Sequence, residues 1–276
     1  MPELPELEIV REVLQKRVIG KTIQRVELFQ PMASLVVRDL TARGFVETLM
    51  RAQFQSVTRR GKFLLFAFEA ISAQLVINPK LSGRLQLASA HDKRYKKTAV
   101  AFTLSDETEL RYYDDKTMGQ IYLTDDLARV PDFAGMGPEP FDLSRAQFRE
   151  RLKPFRGEIK GILTRGEFIA GIGNAYADEI LWHAQLHPYR KRTQLTPDET
   201  DRLYDAVQNT LHDSIAQVRV EMVENIHLKP RDFFKVHMKT GEPCPRCGTT
   251  ISEIRAQQRI TNFCRTCQPG GLIRGM

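Results

Sequence analysis

Four cysteines occur in 276 residues, and they fall as two C-x2-C pairs. Cys244 and Cys247 sit in "CPRCG", Cys264 and Cys267 in "CRTCQ", with sixteen residues between the pairs. Each pair can chelate an ion from a tight turn, and four thiolates close a tetrahedral structural zinc site with no position left for water. Two disulfides are the alternative, and they conflict with a thiol-reducing cytosol. The tail from Val236 to Met276 has few large apolar side chains, so metal explains how it folds at all. That tail holds six Lys or Arg against Glu242 and Glu253, a net +4 out of +7 for the chain. Arg259 lies between the pairs, five residues before Cys264, where a zinc-pinned hairpin would carry it to a phosphate. Arg255 and Arg274 read as ordinary solvated arginines.

The basic excess, 41 Lys and Arg against 34 Asp and Glu, suggests a polyanionic partner, most simply nucleic acid. An ordinary basic enzyme is the competing reading. A hydrophobic fraction of 42% supplies a packed core and argues against wholesale disorder. No run of about eighteen apolar residues occurs, so no membrane span is expected. The N-terminus has Pro and Glu where a secretory signal would be basic and then apolar, which points to the cytoplasm, near the nucleoid in a bacterium.

Along the chain, Leu7, Val10 and Leu14 recur at helical spacing after Pro5, and Gly20 makes a stop. From about Thr22 to Asp125 the texture is strand-like: "SVTRRGKFLLFAF", "AQLVI" and "TAVAFTL", with Val100, Phe102 and Leu104 alternating. The turn signals "NPKLSG" and "SDET" separate such runs. This reads as a β-sandwich or barrel behind one helix. "VPDFAGMGPEPFDLS" (130–144) is rich in Pro and Gly and marks a domain boundary. Helical patterns follow in "SRAQFRERL", "GNAYADEILWHAQL" and the well-capped "PDETDRLYDAVQNTLHDSIAQ". The expected division is a β-rich domain over 1–130, a helical domain over 131–235 and the finger over 236–276.

The opening "MPELPELE" supports two readings. Pro5 suits a helix start, and Glu6 and Glu8 favour the positive end of its dipole. Alternatively, removal of Met1 leaves Pro2 as a secondary amine with Glu3 and Glu6 placed to move protons. An N-terminal amine ionises near about 8, against about 10.4 for lysine, so it is the readier nucleophile.

The Pro2-Glu3 start, "RRGK" ending at Lys62, "AGIGNAYADEIL" over 170–181 and the finger with "RITNFC" stand in an order and spacing that resemble the formamidopyrimidine-DNA glycosylase family, including its endonuclease VIII-like members. "PELPELE" is closer to the formamidopyrimidine branch, and the resemblance covers essentially the whole chain. It implies an α+β protein: an N-terminal β-sandwich with an N-terminal helix, a helix-two-turns-helix domain and a C-terminal finger holding one structural zinc. It implies a monomeric bifunctional glycosylase and lyase acting on double-stranded DNA that contains damaged bases or abasic sites. By resemblance, Pro2 would attack C1′, expel the base and hold a Schiff base; Glu3 would shuttle protons, with Glu6 in support. Lys62 and Arg259 would grip phosphates, Arg259 also assisting a second elimination. Asn174 would attract phosphate at a helix start. Lys97, Lys116 and Arg156 match further DNA-contacting positions more loosely.

Other positions depart from the family. Its void-filling Met, Arg and Phe match Leu81 in "NPKLSGRL", and Lys116 and Met118 in "DDKTMG"; Thr117 stands where a second arginine is usual. Leu and Met still wedge between bases, but Lys lacks the planar donors of Arg. "ILTRGEF" replaces the usual Leu-Asp-Gln run, and "VRVEMVENIHLKPRDFF" lacks the Gly- and Thr-rich loop that covers 8-oxoguanine in family members. Two expectations follow: a working enzyme with a shifted lesion range, or a relative that binds damaged or abasic DNA without cutting it.

Overall fold

Leu4–Arg17 forms the first helix, α1, which buries Leu4, Leu7, Ile9, Val10 and Leu14 and ends on basic Lys16 and Arg17. Gly20, at φ +77, turns the chain where a side chain would be strained, as its position after the periodic run predicts. The computed structural model describes residues 1–256 and 259–270. Arg274 and the last residues of the finger as bounded from sequence lie outside them. The chain forms two units, Met1–Ala134 with Val218–Pro230, and Gly135–Gln217 with Arg231–Met276.

In the first unit α1 is followed by β1 (Ile23–Leu28), the short helix α2 (Met32–Val36), β2 (Val37–Asp39) and the short helix α3 (Phe45–Leu49). Seven strands complete it: β3 (Phe54–Arg60), β4 (Phe63–Phe68), β5 (Ile71–Asn78), β6 (Gly83–Ser89), β7 (Thr98–Leu104), β8 (Thr108–Asp114) and β9 (Gln120–Thr124). They make a four-stranded sheet, β1-β7-β8-β6, and a five-stranded one, β2-β9-β5-β4-β3. Only the β2–β9 pairing is parallel among the described strands. This is the helix-plus-two-sheet arrangement expected from the strand-like texture. β7 departs in detail, because Ala99 and Ala101 are as buried as Val100 and Phe102. Small residues cover its second face, so both faces are interior and the alternation reports side-chain size, not exposure.

Phe66 of β4 is fully buried, with its ring 5.9 Å from that of Phe54. Phe66→Ala is expected to cost about 3–5 kcal/mol of stability. Chemical denaturation checks this, and zinc content should stay unchanged.

The second unit contains α4 (Arg145–Leu152), α5 (Ile159–Leu163), α6 (Asn174–His183), most of α7 (Pro197–Met222) and the hairpin β10 (Ser252–Ala256) and β11 (Arg259–Phe263). Ser144 and Gln147 close a capping box on α4. Thr196 and Glu199 exchange bonds of 3.2 and 2.9 Å at the start of α7. Both are the reciprocal pairing that S/T-x-x-E/Q sequences encode. Rings of Phe148, Phe168 and Tyr204 meet at 5.3 and 5.6 Å to form the core between α4 and α7.

From Val218 the chain rejoins the first unit. Val218 and Met222 are fully buried, and the strap Val223–Pro230 places Ile226 at 2% exposure. Arg219 pairs with Glu12 at 2.8 Å, and Arg17 pairs with Glu224, so α1 holds the first half of this crossing by two ion pairs. Residues 218–230, which fall within the stretch 131–235 expected to be helical, group with the first unit. No helix among the described residues is long and apolar enough to cross a membrane.

Candidate active site and nucleic-acid interface

Glu3 stands in extended backbone as the N-cap of α1, and the carboxylate of Glu6 accepts its amide at 2.8 Å. The Glu3 carboxylate accepts the Glu6 amide in return. Glu-x-x-Glu thus closes a capping box without the usual Ser or Thr. The box that starts the helix lies immediately after Pro2. Both glutamates are 2% exposed. Pro2 is buried as well and lines a cavity of about 20 Å³ with Glu6, Leu7, Val10, Arg84 and Ile226. A void of that size holds about one water.

Lys62 follows Gly61, whose φ of +57 makes the β3–β4 turn. Arg59 donates to Glu8 of α1 at 2.7 Å and to the Gly61 carbonyl at 3.0 Å. The helix that carries Glu3 and Glu6 therefore also sets the turn that carries Lys62.

Leu81 sits on the β5–β6 turn and Met118 on the β8–β9 turn; they are 42% and 46% exposed. Lys116 is exposed beside Met118, and Lys97, which is half-buried, meets the same region through its carbonyl, which accepts the Asp114 amide at 3.1 Å. The structure thus gathers Leu81, Lys97, Lys116 and Met118 within one unit.

In the second unit Gly173 is the N-cap of α6 and Asn174 its first residue. The Asn174 amide donates to the Ile260 carbonyl of β11 at 2.8 Å, and its buried Oδ1 has no hydrogen-bond partner. Arg259 opens β11 and is exposed, 3.4 Å from the Thr164 hydroxyl. Arg156 is exposed on the turn before α5.

Sequence reasoning missed the buried network behind them. Lys160 reaches Asp178 at 2.6 Å and the Thr261 hydroxyl at 2.8 Å. Asp178 also meets His237 at 2.8 Å and accepts the Asn262 amide at 3.2 Å. Glu179 accepts three consecutive amides, Lys235, Val236 and His237, at 2.8, 2.9 and 2.8 Å. Burial pushes the Glu179 pKa up against the opposing pull of those amides. The available signal was "ADEILW", two acids inside an apolar helix, which are buried only when paired.

The four thiol sulfurs lie within 4.8 Å of one another, with Cys244–Cys267 at 3.8 Å and Cys247–Cys264 at 3.4 Å. All four are free thiols. Tetrahedral zinc with Zn–S near 2.3 Å needs sulfurs about 3.8 Å apart, so the donor set fits zinc. Thr249 holds the Cys247 pKa down to about 6. Burial and the neighbouring thiols push Cys267 up to about 12. Trp182 donates to Cys244 Sγ at 3.4 Å, and Arg246 stacks 4.0 Å over the indole.

Three family models match: the formamidopyrimidine-DNA glycosylase N-terminal domain over residues 1–121, that enzyme's helix-two-turns-helix domain over 136–223, and the zinc finger it shares with isoleucyl-tRNA synthetase over 241–270. The Bacillus cereus formamidopyrimidine-DNA glycosylase is 34% identical over 98% of this chain and 99% of its own length. Two solved structures of the Lactococcus lactis enzyme each cover 97% of this chain and 100% of theirs at 31% identity. One is bound noncovalently to abasic-site DNA, with a TM-score of 0.83, and the other to DNA containing a formamidopyrimidine, with a TM-score of 0.84.

Proposed function

The chain belongs to the formamidopyrimidine-DNA glycosylase family, and from that membership we propose that it is a DNA-repair glycosylase and abasic-site lyase whose nucleophile is Pro2 after loss of Met1. The observation that carries this reading is Pro2, buried at a small cavity that Glu6 also lines, directly before the Glu3–Glu6 box. A helix start alone does not require the residue before its N-cap to be buried at a cavity. The amine attacks C1′ as the bond to the damaged base breaks, and the ring-opened sugar stays on Pro2 as a Schiff base. Glu3 relays protons and Glu6 supports the sugar end. Strand cleavage follows by β,δ-elimination. Lys62 and Arg259 hold phosphates, and Arg259 assists the second elimination.

Three modules carry the work: 1–130 the chemistry, 131–235 the helix-two-turns-helix grip, 236–276 the finger with one structural zinc. Asn174, Lys97, Lys116 and Arg156 add contacts to double-stranded DNA, which the protein meets as a monomer. Leu81 and Met118 act as wedges that fill the gap left by an extruded nucleotide.

The lesion range is shifted from 8-oxoguanine. A bidentate arginine–base contact is worth on the order of 1–3 kcal/mol, and Lys116 with its compact head forfeits much of it. Discrimination among bases opposite the lesion should therefore weaken. Activity on 8-oxoguanine should fall relative to formamidopyrimidines, hydantoins and abasic sites. Binding should still drop steeply with salt. Single-turnover cleavage of 8-oxoguanine opposite each of the four bases, beside an abasic duplex, is the test. Strong preference for 8-oxoguanine opposite cytosine, rivalling the abasic rate, would refute the shift. Binding without cleavage of any substrate would favour the second reading, a damaged-DNA binder.

A further inference from the structure

The turns that display Leu81 and Met118 are joined beneath the surface by one carboxylate. Asp114, the last residue of β8, is 1% exposed. Its Oδ1 accepts from the Ser82 hydroxyl, next to Leu81, and from the Lys116 amide at 3.2 Å. Its Oδ2 accepts from the Gly119 amide, next to Met118, at 2.7 Å, and from the Tyr112 hydroxyl at 3.4 Å. Ser82 Oγ also accepts the Lys116 amide at 3.0 Å, so the two turns bond to each other as well as to Asp114. Thr117 returns its amide to the Asp114 carbonyl at 3.2 Å.

The Tyr112 hydroxyl occupies the space that a Cβ at Gly83 or Gly119 would need. Burial and the Asp114 carboxylate push its pKa up, so it remains a donor. Four donors from two turns and a strand thus converge on two oxygens, near the acceptor capacity of a carboxylate.

We propose that Asp114 is the positioning residue that makes the two wedge turns one rigid body, so that Leu81 and Met118 enter a duplex together. The proposal rests on reading those side chains as wedges, and deepens it by naming the latch that couples them. Unstacking a base step costs a few kcal/mol, and a wedge whose turn recoils cannot deliver that. Asparagine at 114 would present an N–H₂ to an amide or hydroxyl donor of one turn, breaking the latch while keeping its volume.

The test uses the full chain, an abasic duplex with 2-aminopurine beside the site, and a single-stranded abasic oligonucleotide of the same sequence. Emission rises when the reporter unstacks, whether or not the strand is cut. Asp114→Asn is expected to reduce that rise by about threefold or more while changing single-strand affinity by less than about twofold. Ser82→Ala, which removes both bonds of the Ser82 hydroxyl but leaves the Lys116 and Gly119 amides on Asp114, should give a smaller loss. In the Asp114→Asn background, Leu81→Ala should add nothing. An undiminished rise in both variants overturns the latch, and so does an equal loss on single and double strands. A wild-type chain that opens the duplex but cuts nothing sinks the enzymatic reading and leaves the latch standing.

Discussion

Pro2→Gly is expected to lower borohydride trapping on abasic DNA by about 10²–10⁴-fold, the range for removing a positioned catalytic group. Glycine keeps an N-terminal amine, but it loses the ring that fixes its direction and the secondary-amine character. The Glu3–Glu6 box involves no atom of residue 2, so α1 should still start at Leu4 and thermal stability should hardly change. Intact-mass analysis and peptide mapping of the trapped wild-type complex should place the adduct on residue 2. An adduct on a lysine, or equal trapping by Pro2→Gly, would remove Pro2 from the mechanism. Glu3→Gln supplies the companion measurement: it should slow base loss more than it slows cutting at a preformed abasic site, since only the first needs a proton delivered to a leaving base.

Cys264→Ser is expected to release the metal and abolish specific DNA binding. Structural zinc contributes about 10–16 kcal/mol in isolated finger peptides, far more than the stability of a typical domain. β11 runs directly into Cys264, and the same strand supplies Ile260, which holds Asn174, and Thr261, which holds Lys160. The loss should therefore spread from the finger to the start of α6. The chain has one tryptophan, and its indole sits 3.4 Å from Cys244 Sγ, so fluorescence reads the site directly. Metal analysis and the emission shift should move together, while the sheets of the first unit stay folded by circular dichroism. Absence of zinc in the wild type together with disulfides in its mass spectrum would refute the reading of the tail.

The elements best legible in sequence were those whose signal is local. The cysteine spacing gave the thiol cluster, "SRAQ" and "PDET" gave two helix starts, and "TAVAFTL" coincides with β7 from end to end. What stayed hidden depends on partners distant along the chain. Glu8 and Arg59 lie fifty-one residues apart, Lys160 and Thr261 a hundred and one, and no periodicity announces either pair. Asp114 looked like one acid of "DDKTMG" until the fold set Ser82 and Gly119 on either side of it. The short elements α2, α3 and β2, of five, five and three residues, fall below the length at which apolar periodicity can be read.

The route of the strap bears on how such a protein can be dissected or recombined. Thirteen residues, 218–230, come late in the sequence yet complete the first unit, closing over α1 and the Pro2 cavity. A fragment ending at Ala134 would lack Val218, Met222 and Ile226 and leave part of the α1 face uncovered. The two units are therefore not interchangeable beads on a string. A genetic crossover placed in the Pro- and Gly-rich stretch near residue 135 would graft a foreign strap onto a native helix, mismatching Glu224 with Arg17 and Arg219 with Glu12. Productive hybrids need a second exchange that returns 218–230 to its own α1, so that the segment travels in inheritance with the N-terminus it covers.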